Sequence, residues 1–193
     1  RHWIRTRPWT VLFWCVIATL GSLIPSSWLQ ELMPELPNTA EKAFDLVLKD
    51  RWGYFIVGLL APLSEELVFR GAILRELLKW KENPWIGIII SAMLFSLVHM
   101  NPVQMPHAFL VGILLGWLYY RTNSIIPGVV LHWINNSVAY VMFNLMPKMQ
   151  DGKLIDLFHG SEKMMVEGLL FSLCVFIPSL FQLATRMKSA DQL

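Results

Sequence analysis

Residues 52–80 read WGYFIVGLLAPLSEELVFRGAILRELLKW, a long apolar run that is interrupted by Glu65, Glu66 and Arg70. A transmembrane helix needs about 20 mainly apolar residues, so this run is long enough to cross a bilayer and to protrude from it. Insertion scales assign each charged side chain at the centre of such a helix a cost of about 2.5–3.5 kcal/mol. Charges placed at that cost point by default to a function, so the run predicts a membrane helix that carries a polar site.

The composition of the whole chain agrees with a lipid environment. Of the 193 residues, 55% are hydrophobic and 16% are charged, whereas a soluble domain carries about 25% charged residues. The polar stretch 26–50 predicts a loop with an amphipathic helix. We therefore expect an all-α, polytopic transmembrane helical bundle, with residues 1–193 forming a single membrane domain of an integral, multi-pass protein of the cell membrane. The six spans are expected at about 9–23, 52–80, 84–100, 106–120, 125–146 and 164–187.

The remaining charges and the cysteines bear on orientation and on partners. A net charge of +2 is too small and too scattered to predict a nucleic-acid partner. Cys15 and Cys174 both fall within apolar runs, so we expect both to be buried thiols. The distribution of Lys and Arg between the spans favours both chain ends on the cytoplasmic side. The residues assigned to that side are Arg1, Arg5, Arg7, Arg75, Lys79, Lys81, Arg121, Arg186 and Lys188.

Helical geometry separates the two glutamates of the second span. Glu66 and Arg70 are four positions apart, so they share one helix face and we expect a buried ion pair between them. Glu65 lies about 100° around the helix from Glu66 and is expected to point elsewhere, free of that partner. The alternative explanation is a structural network in which all three charges pin helices together.

The third span contributes a histidine that is expected at the depth of Glu65. His99 lies fifteen positions after Pro84, and Glu65 lies fifteen positions before Trp80. A tight turn between Trp80 and Pro84 would fold the two helices antiparallel, and an equal rise per residue then brings His99 and Glu65 to one depth. A histidine buried among satisfied core groups is the alternative for this position.

The fifth span adds two hydrogen-bonding side chains on one helix face. His132 and Asn136 are four positions apart, and both can donate hydrogen bonds, which suits the stabilisation of an oxyanion. Interhelical hydrogen bonding without catalysis is the alternative. The neighbouring residue Asn135 is a weaker candidate for this role. His107, at a predicted helix start, is expected near the membrane interface.

Three motifs, taken together, resemble those of a known family. The patterns are EExxxR, FxxxH and HxxxN, and each occurs in the same order within a predicted apolar span. They resemble the CAAX protease and bacteriocin-processing family, also called CPBP or Abi, which includes the type II CAAX prenyl endopeptidases. The resemblance covers about residues 52–146. The matching positions are Glu65, Glu66, Arg70, Phe95, His99, His132 and Asn136.

The resemblance implies a helical bundle with a polar cavity inside the membrane, and hydrolysis of a peptide bond without a covalent intermediate. It implies that Glu65 is the general base and that His99 helps to hold the attacking water. It further implies that His132 and Asn136 form the oxyanion site. The expected partner is a peptide or protein substrate, membrane-associated or lipidated, although a prenylated substrate does not follow from the motifs. The two supporting residues are Glu66 and Arg70.

Other interpretations of the same residues stay open at this point. The implied mechanism needs no cofactor, whereas an alternative adds zinc, held by Glu65, His99 and His132 with one open position. The sequence lacks HExxH, one common zinc-protease arrangement. A third interpretation is a non-catalytic scaffold or bacteriocin-immunity protein whose polar cluster binds a partner helix. No internal repeat favours a transporter, and no aspartate in a predicted span favours an aspartyl protease.

Overall fold

A computed structural model describes residues 8–80, 82–145 and 153–187. Within these ranges the chain is helical and contains no strand, which confirms the predicted all-α class. Some predicted positions lie outside the described residues, namely the end of the fifth span at residue 146 and the basic residues Arg1, Arg5, Arg7, Lys81 and Lys188. The helices are α1 (Pro8–Glu31), α2 (Glu41–Lys49), α3 (55–80), α4 (Pro84–Leu97), α5 (Met105–Thr122), α6 (Ile126–Leu145), α7 (Leu154–Leu157) and α8 (Glu162–Arg186).

Helix α3 is irregular along its length. Two π-helical stretches, Phe55–Leu60 and Leu67–Leu74, alternate with the α-helical segments Ala61–Glu66 and Arg75–Trp80. π-Helical turns are rare and occur frequently at functional sites. Here they flank the segment that carries both glutamates, so the sequence signature of a site coincides with a backbone signature.

Helix α1 runs further than the sequence predicted. The first span was expected to end near residue 23, but α1 continues through Pro25 to Glu31. A proline inside a helix removes one backbone hydrogen bond, which for Pro25 is the bond to the carbonyl oxygen of Gly21, and the helix continues past this position. The hydroxyls of Ser26 and Ser27 both donate to the carbonyl oxygen of Leu23, at 3.0 Å.

Two helices among the described residues are long and apolar enough to cross a membrane. They cover Trp9–Glu31 and Glu162–Arg186 and correspond to the first and the sixth predicted spans. Helices also occupy the second to fifth predicted spans, but α4 has 14 residues, fewer than the roughly 20 of a typical span. That these four cross the bilayer, making six spans, stays a prediction. The amphipathic helix expected within 26–50 is α2, Glu41–Lys49.

Helices α1, α5, α6 and α8 share one apolar core, which includes Val11, Leu115, Leu131 and Leu183. Cys15 is buried in this core, as predicted, whereas Cys174 is exposed. The prediction for Cys174 was wrong, because an apolar run in a membrane helix has an outward face as well as a core face. That outward face is itself apolar on α8, where Leu170, Phe171, Ile177 and Phe181 are exposed.

The described beginning of α1 and the end of α8 lie at one end of the bundle. The Arg186 guanidinium lies 5.5 Å from the ring centre of Trp14. Arg121, at the end of α5, donates to the carbonyl oxygens of Ala184 and Met187 at 2.9 and 2.7 Å. This arrangement agrees with the expectation that these ends share one side of the membrane, while the identity of that side stays a prediction.

Helices α1 and α8 approach closely at Gly21, and this contact gives a test of their packing. A Cβ atom at Gly21 would lie 2.8 Å from the backbone nitrogen of Phe176. Gly21→Ala should therefore lower the thermal unfolding midpoint in detergent. Overpacking costs about 1–3 kcal/mol, which exceeds the gain of about 0.5–1 kcal/mol from placing Ala in a helix.

The matched control is Gly71→Ala in α3, because a Cβ atom there meets nothing closer than 3.7 Å. We expect no loss of stability in the control. Equal midpoints for Gly21→Ala and the parent would contradict the close packing of α1 on α8.

Candidate active site

A buried ion pair lies at the centre of the motif-bearing helices. Arg70 Nη1 lies 2.7 Å from Glu66 Oε1, and both side chains are fully buried, at 0% exposure. Arg70 Nη2 donates to the carbonyl oxygen of Gly112 at 3.0 Å, and the guanidinium lies 4.4 Å from the ring centre of Phe95. The predicted pair between Glu66 and Arg70 is confirmed, and it ties α3 to α4 and α5.

Two glycines make room for this pair. A Cβ atom at Gly128 of α6 would lie 2.7 Å from Glu66 Oε2, and one at Gly112 of α5 would lie 3.0 Å from the Cβ atom of Ala92. The first contact brings the α6 backbone against the carboxylate, and the second brings α5 against α4. Glycine is thus required at both positions because neighbouring atoms approach the backbone closely, and not because of the backbone conformation.

Glu65 points away from the pair, as the helical geometry predicts. Its side chain is 28% exposed and lines an open cavity of about 850 Å³ between α3, α4, α5 and α6, which residues of α1, α2 and α7 also line. The Oε2 atom of Glu65 has no hydrogen-bond partner among the residues that the structure describes. Adjacent carboxylates therefore have different surroundings, one neutralised by Arg70 and one facing the cavity.

His132 lies between the two glutamates. Its Nδ1 atom is 3.2 Å from Glu66 Oε1, and its Nε2 atom is 3.6 Å from Glu65 Oε2. The ring is 4% exposed. A hydrogen bond from Nδ1 to a carboxylate fixes the orientation of a histidine ring and leaves its Nε2 atom for chemistry. Glu66 thus contacts both Arg70 and His132, and the buried pair is directly connected to the cavity.

His99 lies just beyond the end of α4 rather than within the helix. The third span was expected to continue to about residue 100, but α4 ends at Leu97 and the chain turns through His99 into Met100, which has a positive φ of 47°. The Nδ1 atom of His99 lies 2.8 Å from the carbonyl oxygen of Phe95. Because a carbonyl oxygen can only accept, Nδ1 carries the proton and Nε2 is left as an acceptor.

Phe95, the first residue of its motif, is a packing centre for the site. Its ring contacts the rings of Phe69, His99 and His132, with centroids 4.9–5.6 Å apart. It is 1% exposed. The aromatic ring therefore holds the two histidines apart and shields the Arg70 guanidinium from the cavity.

Asn136 lies on the same wall as His132 and is held by the irregular helix α3. Its Nδ2 atom donates to the carbonyl oxygen of Val57 at 3.0 Å, within the π-helical stretch Phe55–Leu60. Val57, Glu65, His99, His132 and Asn136 all line the one cavity. The four residues that the sequence selected for chemistry are thus brought together, while their catalytic roles stay a prediction.

Sequence reasoning missed the contribution of His107 to this cavity. The expected helix start is correct, since α5 begins at Met105. However, the side chain of His107 lines the cavity and interacts with the side chain of Asn135. The sequence did carry a signal for His107, because a polar side chain in an apolar membrane helix is costly and therefore points to a function, as for Glu65. Residues of α1, α2 and α7, such as Gln30, Phe44 and Leu157, line the opening of the cavity, which we call its mouth. They belong to none of the three motifs.

The residues proposed for zinc do not form a metal site in this structure. Among residues 8–80, 82–145 and 153–187, no group of three or more His, Cys, Asp and Glu side chains is arranged to hold a metal ion. The Nδ1 atoms of His99 and His132 are directed at Phe95 and Glu66. The observed geometry therefore gives no support to the set of Glu65, His99 and His132, and the cofactor requirement stays a matter for experiment.

Comparison with known proteins agrees with this site. Residues 48–138, which carry all three motifs, match the family model described as "Type II CAAX prenyl endopeptidase Rce1-like". Over this core the chain matches the Rce1-like family model, and it is a membrane protein with hydrophobic helices. The resemblance inferred from the motifs is thereby confirmed. No solved structure matches the chain.

Individual relatives are similar over part of their length. The chain is 30% identical over 117 residues to the membrane-embedded CAAX protease MroQ of Staphylococcus aureus, covering 58% of this chain and 47% of that protein. It is 26% identical over 115 residues to the UPF0177 protein YxdF of Lactococcus lactis, covering 58% and 55%. An uncharacterized 24.3 kDa protein of Escherichia coli is 34% identical over 80 residues, covering 38% and 36%. These matches span about half, or less, of each relative.

Removal of one member of the buried pair should destabilise the protein. Arg70→Ala leaves Glu66 buried without its cation, and breaking such a pair typically costs about 3–5 kcal/mol. We expect a lower folded yield and a lower unfolding midpoint in detergent for Arg70→Ala than for Asn136→Ala, measured by size-exclusion chromatography and thermal melting.

Lys79→Ala provides the matched control on the same helix. Lys79 pairs with Glu76 at 2.7 Å, but both side chains are more than 60% exposed, and exposed pairs contribute about 0–1 kcal/mol. If Arg70→Ala had the same unfolding midpoint as Lys79→Ala and the parent, the pair of Glu66 and Arg70 would have no structural role.

Proposed function

We propose that this chain is an intramembrane endopeptidase that hydrolyses a peptide bond with water activated by Glu65 and His99. The observation that carries the proposal is the convergence of Glu65, His99, His132 and Asn136 on one cavity of about 850 Å³. That volume lies within the range of small-molecule and peptide-sized pockets, about 300–1,000 Å³. The match of residues 48–138 to the Rce1-like family model supports a peptidase of this class.

Glu65 has the properties of a general base. Its side chain is 28% exposed and lines the cavity, and its Oε2 atom, which is buried next to His132, has no hydrogen-bond partner among the described residues. A carboxylate of this kind can accept a proton from a water molecule at hydrogen-bond distance. The unprotonated Nε2 atom of His99 provides a second acceptor, which would orient the same water.

In the proposed reaction, Glu65 takes one proton from water while the water oxygen bonds to the carbonyl carbon of the scissile peptide. The carbonyl electron pair moves onto oxygen, and the resulting oxyanion receives hydrogen bonds from His132 and Asn136. The tetrahedral intermediate then collapses, the C–N bond breaks, and protonated Glu65 returns its proton to the leaving nitrogen. The products are a carboxylic acid and an amine, and no covalent enzyme intermediate forms.

The position of His132 fits the oxyanion role when its Nε2 atom carries a proton. With Nδ1–H bound to Glu66, such a ring is an imidazolium that lies between two carboxylates. The charges of His132 and Arg70 then balance those of Glu65 and Glu66. A buried polar cluster without net charge avoids much of the desolvation penalty of an isolated charge.

The substrate in this proposal is a peptide or protein segment that enters the cavity from the membrane or its surface. The mouth is formed by α2, α7 and the end of α1, and apolar side chains such as Phe44, Leu48 and Leu157 lie among its polar groups. An extended segment of mixed polarity suits such a lining. A lipidated substrate is compatible with the apolar part of the wall, and the name of MroQ identifies that relative as a CAAX protease.

Replacement of the proposed base should abolish cleavage. Glu65→Gln preserves the shape of the side chain but cannot accept a proton, and general-base help is worth about 10²–10⁴ in rate. We expect purified Glu65→Gln in detergent to fold normally and to lose cleavage of a peptide pool, measured by mass spectrometry.

Glu76→Gln is the control, since Glu76 is an exposed glutamate of the same helix whose partner is Lys79. It should cleave at the parental rate. Equal cleavage by Glu65→Gln and the parent would show that Glu65 is not the base. A scaffold or immunity protein would lack cleavage altogether and would keep its biological phenotype in Glu65→Gln.

Chelation separates the metal-free mechanism from the zinc alternative. If Glu65 and His99 activate water by themselves, cleavage should survive incubation with strong chelators and subsequent desalting. The zinc alternative requires bound metal for activity, so it predicts loss of cleavage and recovery on addition of zinc. Parallel elemental analysis of the purified protein identifies any metal that chelation leaves behind.

A further inference from the structure

We propose that His107 and Asn135 are positioning residues that fix the side chain of Asn136 through a directed chain of hydrogen bonds. The inference rests on the proposed function, because it concerns the donor assigned to the oxyanion. Neither His107 nor Asn135 belongs to the three motifs. Both line the cavity together with Asn136 and Val57, and they connect α5 to α6 inside it.

The direction of the chain follows from its fixed end at Val57. A backbone carbonyl oxygen can only accept, so the Asn136 atom that lies 3.0 Å from it must be the amide nitrogen Nδ2. Asn136 Oδ1 is then turned to the other side, where it accepts from Asn135 Nδ2 at 3.4 Å. A reversed Asn135 would bring two oxygens together, so its Oδ1 atom is left to accept. The donor that we assign to it is the ring of His107, which lines the same cavity and interacts with this side chain.

The chain has a direct consequence for the oxyanion site. An asparagine amide has two N–H groups, and the bond to Val57 uses one of them, which leaves the other for the oxyanion. Asn136 is held on its nitrogen side by α3 and on its oxygen side by Asn135, so its amide plane is fixed before substrate binds. Preorganised donors of this kind stabilise developing charge most effectively.

The bond between Asn135 and Asn136 is long, and alone it would constrain Asn136 weakly. His107 strengthens the arrangement, because a hydrogen bond from its ring to Asn135 Oδ1 restricts the rotation of the Asn135 side chain. Hydrogen bonds in a chain also polarise one another. The packing of α5 on α6 does not depend on this histidine, since Leu115, Leu118 and Leu131 join these helices within the apolar core. Loss of His107 should therefore affect the site more than the fold.

The kinetic test compares His107→Phe with His107→Gln. His107→Phe removes the donor, and we expect kcat to fall by about 10- to 100-fold, as for misplacement of a catalytic group, with little change in KM. His107→Gln keeps an N–H donor and should recover most of kcat. His159→Asn, at an exposed loop histidine with a positive φ of 54°, is the control and should match the parent.

A double-mutant cycle distinguishes positioning from direct substrate binding. Asn136→Ala alone should lower kcat by about 10²–10³, and in that background His107→Phe should have no further effect, because residues that act through one another are not additive. A rise in KM at constant kcat would overturn the proposal. An undiminished effect of His107→Phe in the Asn136→Ala background would overturn it as well.

A spectroscopic measurement tests the chain independently of cleavage. In protein labelled with ¹⁵N-asparagine, the side-chain amide signals of Asn136 are identified by their loss in Asn136→Ala. His107→Phe should shift these signals and His107→Gln should restore them, while those of Asn144 stay unchanged. Unshifted Asn136 signals would refute the chain. If His107→Phe shifted these signals but the parent protein cleaved no peptide, the chain of hydrogen bonds would stand and the proposed function would be refuted.

Discussion

The ion pair between Glu66 and Arg70 is the constraint on which the site depends. Two opposite charges without exposure depend on each other, because a buried charge that loses its partner is costly. Gly112 supplies a carbonyl oxygen to Arg70, and Gly128 gives Glu66 the space for its second oxygen. The pair therefore determines how closely α5 and α6 approach α3, and these helices form the walls of the cavity.

The same pair gives two adjacent glutamates different chemistry. Glu66 is committed to Arg70 and to the Nδ1 atom of His132, whereas Glu65 lines the cavity and places its buried Oε2 atom on the other side of that ring. Their separation requires only the rotation of one residue along a helix. A fully buried and a partly exposed carboxylate thus occupy neighbouring positions, and the His132 ring lies between them.

The motifs define the floor of the cavity, and other segments define its access. The deep groups come from the region 48–138 that matches the Rce1-like family, while the mouth is completed by the end of α1, by α2 and by α7, which lie outside or at the edge of that region. Asn101, which is fully buried, joins these parts, since it binds Asn38 and Thr39 ahead of α2. The opening of the cavity is therefore built largely by segments outside the region that matches the family model.

The sequence by itself determined the helical class, the pairing of Glu66 with Arg70 and the separate direction of Glu65, because these follow from apolar length and helical periodicity, which are local. It also selected the four cavity residues, since polar groups in apolar helices are costly wherever they lie. Only the tertiary structure decided that His132 lies between two glutamates, that His99 follows the end of α4, and that His107 reaches Asn135. These depend on the approach of helices distant in sequence, on π-helical turns that change the register of α3, and on packing that periodicity does not specify.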